Sequence, residues 1–181
     1  MRLFIAVFPP ADVQAIAYRA ADPLRPGHDA VAWVRKGNLH YTMRFLGEVD
    51  EPGAANAATA MREAAASRPK FGATLGGFGA FPNARRARVL WIGMLQGAEP
   101  MRLLASTLDQ ALARHGFEPA DESFEPHLTV GRVSAPGDWT ARLVDAPTVE
   151  TRFQVERMQL VNSVLAPGGS KYETVAEAEL R

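Results

Sequence analysis

The sequence predicts an α+β protein of two similar lobes, each a small, mainly antiparallel sheet backed by helices, with a cleft between them. Strand-like segments alternate along the chain with amphipathic helical segments, and the loops and hairpins suit antiparallel pairing. No stretch rich in Pro, Gly or Ser divides the chain into independent parts. We therefore expect residues 1–181 to form a single domain whose two lobes are packed closely together.

Local signals place the elements of the first half. The expected strands are Arg2–Val7, Val31–Val34, a strand that ends near Gly47, Phe71–Phe78 and Val89–Met94. The expected helices are one opened by Pro9-Pro10 that runs to about Ala21, and one capped by Asp50 that runs to about Ser67.

The second half repeats this scheme. An apolar stripe predicts a helix from Pro100 to His115, and Gly116 is expected to end it. A strand, a short helical stretch near Asp138–Val144 and a strand pair follow. The pair, Val155–Leu165 and Tyr172–Ala178, is expected to fold around Pro167-Gly168-Gly169.

Composition narrows the function classes. Twenty basic and twenty acidic residues cancel, so no overall field attracts the chain to a long polyanion, and any nucleic-acid contact should be local. The chain has no cysteine, which excludes disulfides and Cys-ligated zinc. The apolar run at the start is too short for a signal peptide, and no segment approaches the length of a membrane span. We expect a cytoplasmic monomer without membrane contact.

One short motif occurs twice. His40-Tyr41-Thr42 and His127-Leu128-Thr129 each lie in a strand-like run, and the two histidines are 87 residues apart, close to half the chain. Because residues i and i+2 of a strand project from the same face, each motif offers an imidazole and a hydroxyl to the same side of a sheet. The pairing predicts a duplicated unit whose two copies face each other across the cleft.

Segments along nearly the whole chain carry a family resemblance: RLFIAVFPP, NLHYTMRFLGEVD, FPNARRARVLWIG, FEPHLTVGRV and MQLVNSVLAPGGSKYETVAEAEL. The chain is similar to the 2H phosphoesterase superfamily, and within it to the RNA 2′,3′-cyclic phosphodiesterases, historically called 2′-5′ RNA ligases. Tyr41 and Met43 stand where that family more often has aliphatic residues. Both should face away from His40 and Thr42, so they concern packing before chemistry.

The resemblance implies a role for each site residue. It gives catalysis to His40 and His127, phosphate binding to Thr42, Thr129 and Arg132, and base or ribose binding to Phe45. Phe45 and Arg132 each follow their histidine by five residues, an odd number that breaks strand parity. We expect a bulge or a strand end to turn them towards the cleft. A core position for Phe45 and a solvated rim position for Arg132 remain open alternatives.

The chemistry explains why two histidines are needed. Opening a cyclic phosphate requires a neutral imidazole to accept a proton from water and a charged one to protonate the leaving oxygen, and histidine populates both states near neutral pH. We assign His40 as the acid and His127 as the base for hydrolysis. The threonine hydroxyls would stabilise charge on the non-bridging oxygens. We expect no cofactor and no metal, and as partners RNA 3′ ends or nucleoside 2′,3′-cyclic phosphates.

Three alternatives remain: a 2′-5′ RNA ligase in the same site, a non-catalytic module that binds RNA termini, and, more weakly, a zinc hydrolase. The other two histidines are assigned structural places, His28 on a surface loop and His115 at a helix end. The cluster Arg85, Arg86 and Arg88 is interpreted as a solvated loop, with contact to an RNA backbone as its functional alternative.

Overall fold

The structure is a computed structural model that describes residues 1–27 and 30–181, so the interpretation of His28 lies outside the described residues. The strands are β1 (Arg2–Val7), β2 (Val31–Trp33), β3 (Tyr41–Glu48), β4 (Phe71–Phe81), β5 (Ala87–Gln96), β6 (Leu128–Gly137), β7 (Arg152–Val155), β8 (Arg157–Ala166) and β9 (Gly169–Glu179). The helices are α1 (Ala11–Ala20), α2 (Glu51–Ala66), α3 (Ala98–Arg114) and α4 (Thr140–Asp145).

The strands form two sheets in which the described pairs are antiparallel. The first sheet has the order β3-β1-β8-β9, and the second has the order β2-β6-β5-β4-β7. Helices back the sheets, with α2 packed against α3 and against β8 and β9. The predicted α+β class with two helix-backed antiparallel sheets is confirmed.

The sheets do not correspond to the two halves of the chain. The first takes β1 and β3 from the N-terminal half and β8 and β9 from the C-terminal end, while β2 crosses to the second sheet. The expected strand pair is present as β8 and β9, but its predicted start at Val155 is wrong, because Val155 ends β7 in the second sheet and the chain enters the first sheet at Arg157. Period-2 alternation does not mark this change of sheet, since both segments are strands.

Helix boundaries follow the local signals. Asp50 caps α2, and its carboxylate accepts a hydrogen bond of 2.9 Å from the Gly53 amide. Gly116 follows α3 with φ of +88°, a left-handed conformation that glycine adopts without strain. Within the described residues, no helix combines the length and the hydropathy needed to cross a bilayer.

Strand β1 has buried residues on both of its faces. Leu3, Ile5 and Val7 belong to the main core between the sheet and its helices. Phe4 and Ala6 point to the other face, where they form a small separate cluster with Val161, Phe8 and Tyr172. The face of the first sheet that lies away from the helices is therefore lined with aromatic rings.

Candidate active site

Both motifs lie where a strand begins. His40 immediately precedes β3 and His127 immediately precedes β6, and Thr42 and Thr129 are the second residues of those strands. Tyr41 and Leu128, between the motif residues, are fully buried. The expected alternation is therefore present in both copies.

A β-bulge occurs at the same place in each motif strand. In β3 the register with β1 shifts between Thr42 and Arg44, so Met43 is the extra residue. In β6 the register with β5 shifts between Thr129 and Gly131, so Val130 is the extra residue. Each extra residue is the third after its histidine, and each is buried. The bulge restores the parity that an odd spacing of five breaks, as the sequence predicts.

A cavity of about 840 Å³ brings the two motif strands together. Its lining includes five of the six predicted site residues: Thr42, Phe45, His127, Thr129 and Arg132. His40, the sixth, lies behind Thr42, whose hydroxyl is 2.9 Å from its Nε2. Phe45 is 65% exposed, so its side chain is not part of the core. The structure thus places five of the predicted residues around one cavity and joins His40 to them through Thr42.

Backbone carbonyls orient both imidazoles in the same way. Nδ1 of His40 lies 2.7 Å from the carbonyl oxygen of Asn38, and Nδ1 of His127 lies 2.7 Å from that of Glu125. A carbonyl only accepts hydrogen bonds, so Nδ1 carries the proton in each ring. The neutral form of each histidine therefore has Nε2 as its basic nitrogen, and Thr42 donates to Nε2 of His40.

The surroundings of His40 favour its neutral form. Its ring packs against those of Phe4, Phe8 and Tyr172, with centroids 5.0, 5.1 and 5.4 Å away. This burial lowers the pKa of His40 to about 4, and the positive charge of Arg132 contributes in the same direction. The hydrogen bond to Asn38 opposes the shift but does not cancel it.

His127 has an aromatic neighbourhood on the second sheet. The Phe81 ring meets the imidazole edge to face at 4.9 Å, and it also contacts Trp91 at 5.1 Å. Trp91 lies across from Thr129 in the sheet and covers Gly79, where an added Cβ would overlap the indole. A side chain at position 79 would displace this ring.

The aromatic residues around the two imidazoles are functional neighbours that the sequence analysis did not identify. Phe4 and Phe8 stand on one side of the β1 alternation, and Tyr172 lies in the predicted C-terminal hairpin. Strand parity alone could have placed the phenylalanines on one face, but only the pairing of β1 with β3 and β8 brings that face to His40.

The remaining candidates lie around the site. His115 follows α3 and is 2.9 Å from the Glu63 carboxylate, which fits its structural interpretation. Arg85 and Arg86 are exposed on the β4–β5 connection, which begins directly after Phe81, and Arg88 is exposed at the start of β5. Among the described residues, no three His, Asp or Glu side chains lie together in an arrangement that could bind a metal ion.

Two motifs of imidazole and hydroxyl, on two antiparallel sheets that share a cavity, define a site of the two-histidine phosphoesterase class. Comparison with known proteins agrees with this class. The sequence model of the 2′-5′ RNA ligase superfamily matches residues 9–165. The chain belongs to the 2′-5′ RNA ligase superfamily.

Relatives and solved structures match over nearly the full length. The RNA 2′,3′-cyclic phosphodiesterase of Thermotoga maritima is 32% identical over 180 residues, covering 99% of this chain and 95% of the relative. That of Archaeoglobus fulgidus is 35% identical over 178 residues, covering 96% and 97%. The crystal structure of TT0787 of Thermus thermophilus superposes with a TM-score of 0.86 at 31% identity, covering 100% of this chain and 98% of that one.

Escherichia coli LigT complexed with 3′-AMP superposes with a TM-score of 0.81 at 27% identity, covering 99% of this chain and 97% of that one. These matches agree in fold with the 2H phosphoesterase architecture that the sequence resemblance implies.

Proposed function

We propose that this protein hydrolyses 2′,3′-cyclic phosphate termini of RNA to 2′-phosphates, without a metal, by acid–base catalysis between His40 and His127. The observation that carries the proposal is the cavity that His127 lines and that His40 adjoins through its hydrogen bond to Thr42, with Nδ1 of each histidine bound to a carbonyl and Nε2 left as the basic nitrogen. The activity named for the relatives supports it.

In the proposed reaction a water oxygen attacks phosphorus while Nε2 of His127 takes its proton. The bond between phosphorus and O3′ breaks, and protonated His40 donates its Nε2 proton to O3′. The product carries a 2′-phosphate and a free 3′-hydroxyl. Attack and departure on opposite sides of phosphorus require one imidazole on each sheet, as the placement of the motifs allows.

The acid role of His40 requires bound substrate. In the free protein its pKa of about 4 leaves it neutral at pH 7. An anionic phosphate beside a poorly solvated imidazole favours the charged form strongly, because Coulomb attraction grows as the local dielectric constant falls. We propose that substrate binding itself raises the pKa of His40 and provides the protonated acid.

The threonines and Arg132 would stabilise the five-coordinate transition state. Thr42, which donates to His40 in the free protein, would turn its hydroxyl to a non-bridging oxygen, and Thr129 would do the same from the other sheet. The guanidinium of Arg132 adds a charge-assisted donor. Exposed Phe45 offers its ring to the terminal base or ribose.

The test is hydrolysis of a nucleoside 2′,3′-cyclic phosphate in the presence and absence of EDTA, with the 2′- and 3′-phosphate products separated. We expect activity that is unchanged by EDTA and yields only the 2′-phosphate. Loss of activity in EDTA would favour the zinc hydrolase, and a 3′-phosphate product would reverse the assignment of the leaving oxygen. Binding of cyclic phosphates without turnover would show that the protein is the non-catalytic binding module.

The pH profile tests the two histidines. The profile of kcat/KM reports the free enzyme, so it should be bell-shaped with one limb near pH 4, whereas kcat reports the complex and should have this limb at higher pH. A limb that stays near pH 4 in kcat would show that substrate does not protonate His40. The acid and base roles would then be exchanged.

The family name supports a second function in the same site. A 5′-hydroxyl can replace water as the nucleophile: His127 would take its proton, the bond between phosphorus and O3′ would break, and His40 would protonate O3′, so that two RNA ends are joined by a 2′-5′ linkage. Water at its bulk concentration favours hydrolysis. Incubation of a cyclic-phosphate RNA with excess 5′-hydroxyl RNA, followed by analysis of the linkage, would detect this reaction.

A further inference from the structure

Strand β1 carries an arginine onto the same face as the aromatic floor of the site. Side chains alternate along a strand, so Arg2 shares its face with Phe4 and Ala6. Phe4 contacts His40 and Tyr172, both at 5.0 Å. The Cα of Arg2 is two residues from that of Phe4, about 7 Å along an extended strand. Arg2 thus stands one strand repeat from the ring that touches His40.

Tyr172 lies in the electrostatic field of two guanidinium groups. Its ring packs on Phe4 and on His40, from β9 at the edge of the first sheet. Burial raises the pKa of the Tyr172 hydroxyl, and the charges of Arg132 and Arg2 both oppose this shift. The strand registers agree with this proximity, since Leu3 lies across from Asn162 in β8 and Tyr172 lies across from the next residue, Ser163.

Within the described part of the chain, neither Arg2 nor Arg132 forms an ion pair with a carboxylate within 4.0 Å. Glu48 lies directly across from Arg2 in the sheet, but its carboxylate pairs with the amino terminus at 3.7 Å and is 81% exposed. A flexible, solvated Glu48 can turn away when an anion binds.

Another part of the cavity lining carries an excess of negative charge. Arg44 and Arg102 belong to this part, and both are engaged by carboxylates, Arg44 by Asp109 and Arg102 by Glu125 at 2.8 Å. Asp121 and Glu122 add two further carboxylates to the same lining. A polyanion that continues out of the cavity is repelled on this side and attracted on the side of Arg132, Tyr172 and Arg2.

We propose that Arg2, together with the hydroxyl of Tyr172, binds the phosphodiester that precedes the terminal nucleotide of the substrate. The inference rests on the proposed function and specifies its substrate class as the end of an RNA chain of at least two nucleotides. Proteins that bind single-stranded RNA combine aromatic rings, which stack on the bases, with cations, which contact the backbone phosphates. Phe4, Tyr172 and Arg2 provide the same combination here.

The experiment compares a cyclic mononucleotide with a dinucleotide that ends in the same cyclic phosphate. Arg2→Ala should lower kcat/KM for the dinucleotide about tenfold, as expected for one lost charge-assisted contact, and should change the mononucleotide value less than twofold. The salt dependence of log kcat/KM for the dinucleotide should become shallower by about 0.7, the slope of one contact to a single strand. Tyr172→Phe should lower the dinucleotide value by a smaller factor.

Arg62→Ala is the matched control, because Arg62 is an exposed arginine on α2, away from the cavity lining. It should leave both substrates unchanged. An equal loss on both substrates in Arg2→Ala, or no loss on either, would overturn the proposal. If the wild type gains nothing from the second nucleotide, the subsite is absent although hydrolysis stands.

Binding separates this inference from the proposed function. Calorimetry with a mononucleotide 2′-phosphate and a dinucleotide ending in the same 2′-phosphate needs no turnover. Wild type should bind the dinucleotide more tightly, and Arg2→Ala should remove that advantage. A protein that lacks hydrolytic activity but shows this pattern would refute the proposed function and retain the subsite. Equal affinities for the two ligands would refute the subsite.

Discussion

Replacing His40 by Asn should make the folded protein less sensitive to acid. The amide of Asn can donate to the Asn38 carbonyl, as Nδ1 of the imidazole does, but it has no proton to gain. In the wild type the imidazole is enclosed by Phe4, Phe8 and Tyr172, and protonation there places a charge among apolar rings. Unfolding releases that penalty.

The direction in which stability changes with pH follows from the two pKa values. The pKa of His40 is about 4 in the folded protein and 6.5 in its ordinary environment. Between these values the unfolded chain binds a proton that the folded protein does not, so stability falls as the pH falls. At pH 7 the imidazole is mostly neutral in both states and contributes little. At pH 4 the difference costs the wild type about 3 kcal/mol.

The assay is urea unfolding of both proteins at several values between pH 7 and pH 4. Carboxylates titrate in the same range in both proteins, so the quantity of interest is the difference in unfolding free energy between wild type and variant. We expect that difference to change by about 3 kcal/mol in favour of the variant as the pH falls. Met43→Leu, a nearby change without a titratable group, should give a constant difference. A constant difference for His40→Asn would refute the reasoning.

Three further sets of variants test other parts of the structure. Thr42→Val and Thr129→Val should each lower kcat by roughly 10- to 1000-fold and change ligand affinity less. Steady-state kinetics and calorimetry measure the two effects. A normal kcat with weak binding would show that the threonines only position the substrate. His40→Ala and His127→Ala should each lower kcat by about 10²- to 10⁴-fold, and the double variant should be little worse than the poorer single one, whereas multiplying losses would indicate independent roles. Tyr41→Phe should raise the unfolding free energy by about 1 kcal/mol and leave activity unchanged, because the buried Tyr41 hydroxyl has no hydrogen-bond partner among the described residues; a loss of stability would reveal a partner.

The sequence predicts the local structure around the motifs well, because that structure depends on near neighbours. Alternation places Thr42 and Thr129 with their histidines, and the odd spacing to Phe45 and Arg132 requires a bulge, which the register shifts at Met43 and Val130 provide. Tyr41 and Met43 are buried, as parity predicts. These inferences need only the geometry of one strand.

The pairing of strands that are distant in the sequence cannot be predicted from local sequence patterns. Nothing in the local pattern distinguishes the four residues of β7 from β8, although they join different sheets. The neighbours of His40 could not be predicted for the same reason, since Tyr172 is brought to His40 only by the pairing of β9 with β8 and of β8 with β1. The lowered pKa of His40 follows from that packing, so it cannot be predicted from the spacing of residues in the sequence.

The interleaving of the sheets explains how two motifs 87 residues apart come to lie at one site. Strand β2 pairs with β6, and the Val34 amide extends this contact by donating to the Val130 carbonyl at 2.9 Å. Only residues 35–39 separate Val34 from His40, and the Gln14 amide holds that segment by donating to the Leu39 carbonyl at 2.7 Å. The first motif is therefore fastened by backbone hydrogen bonds to the strand that carries the second. Two lobes built from separate halves of the chain would lack this connection between the two motif strands.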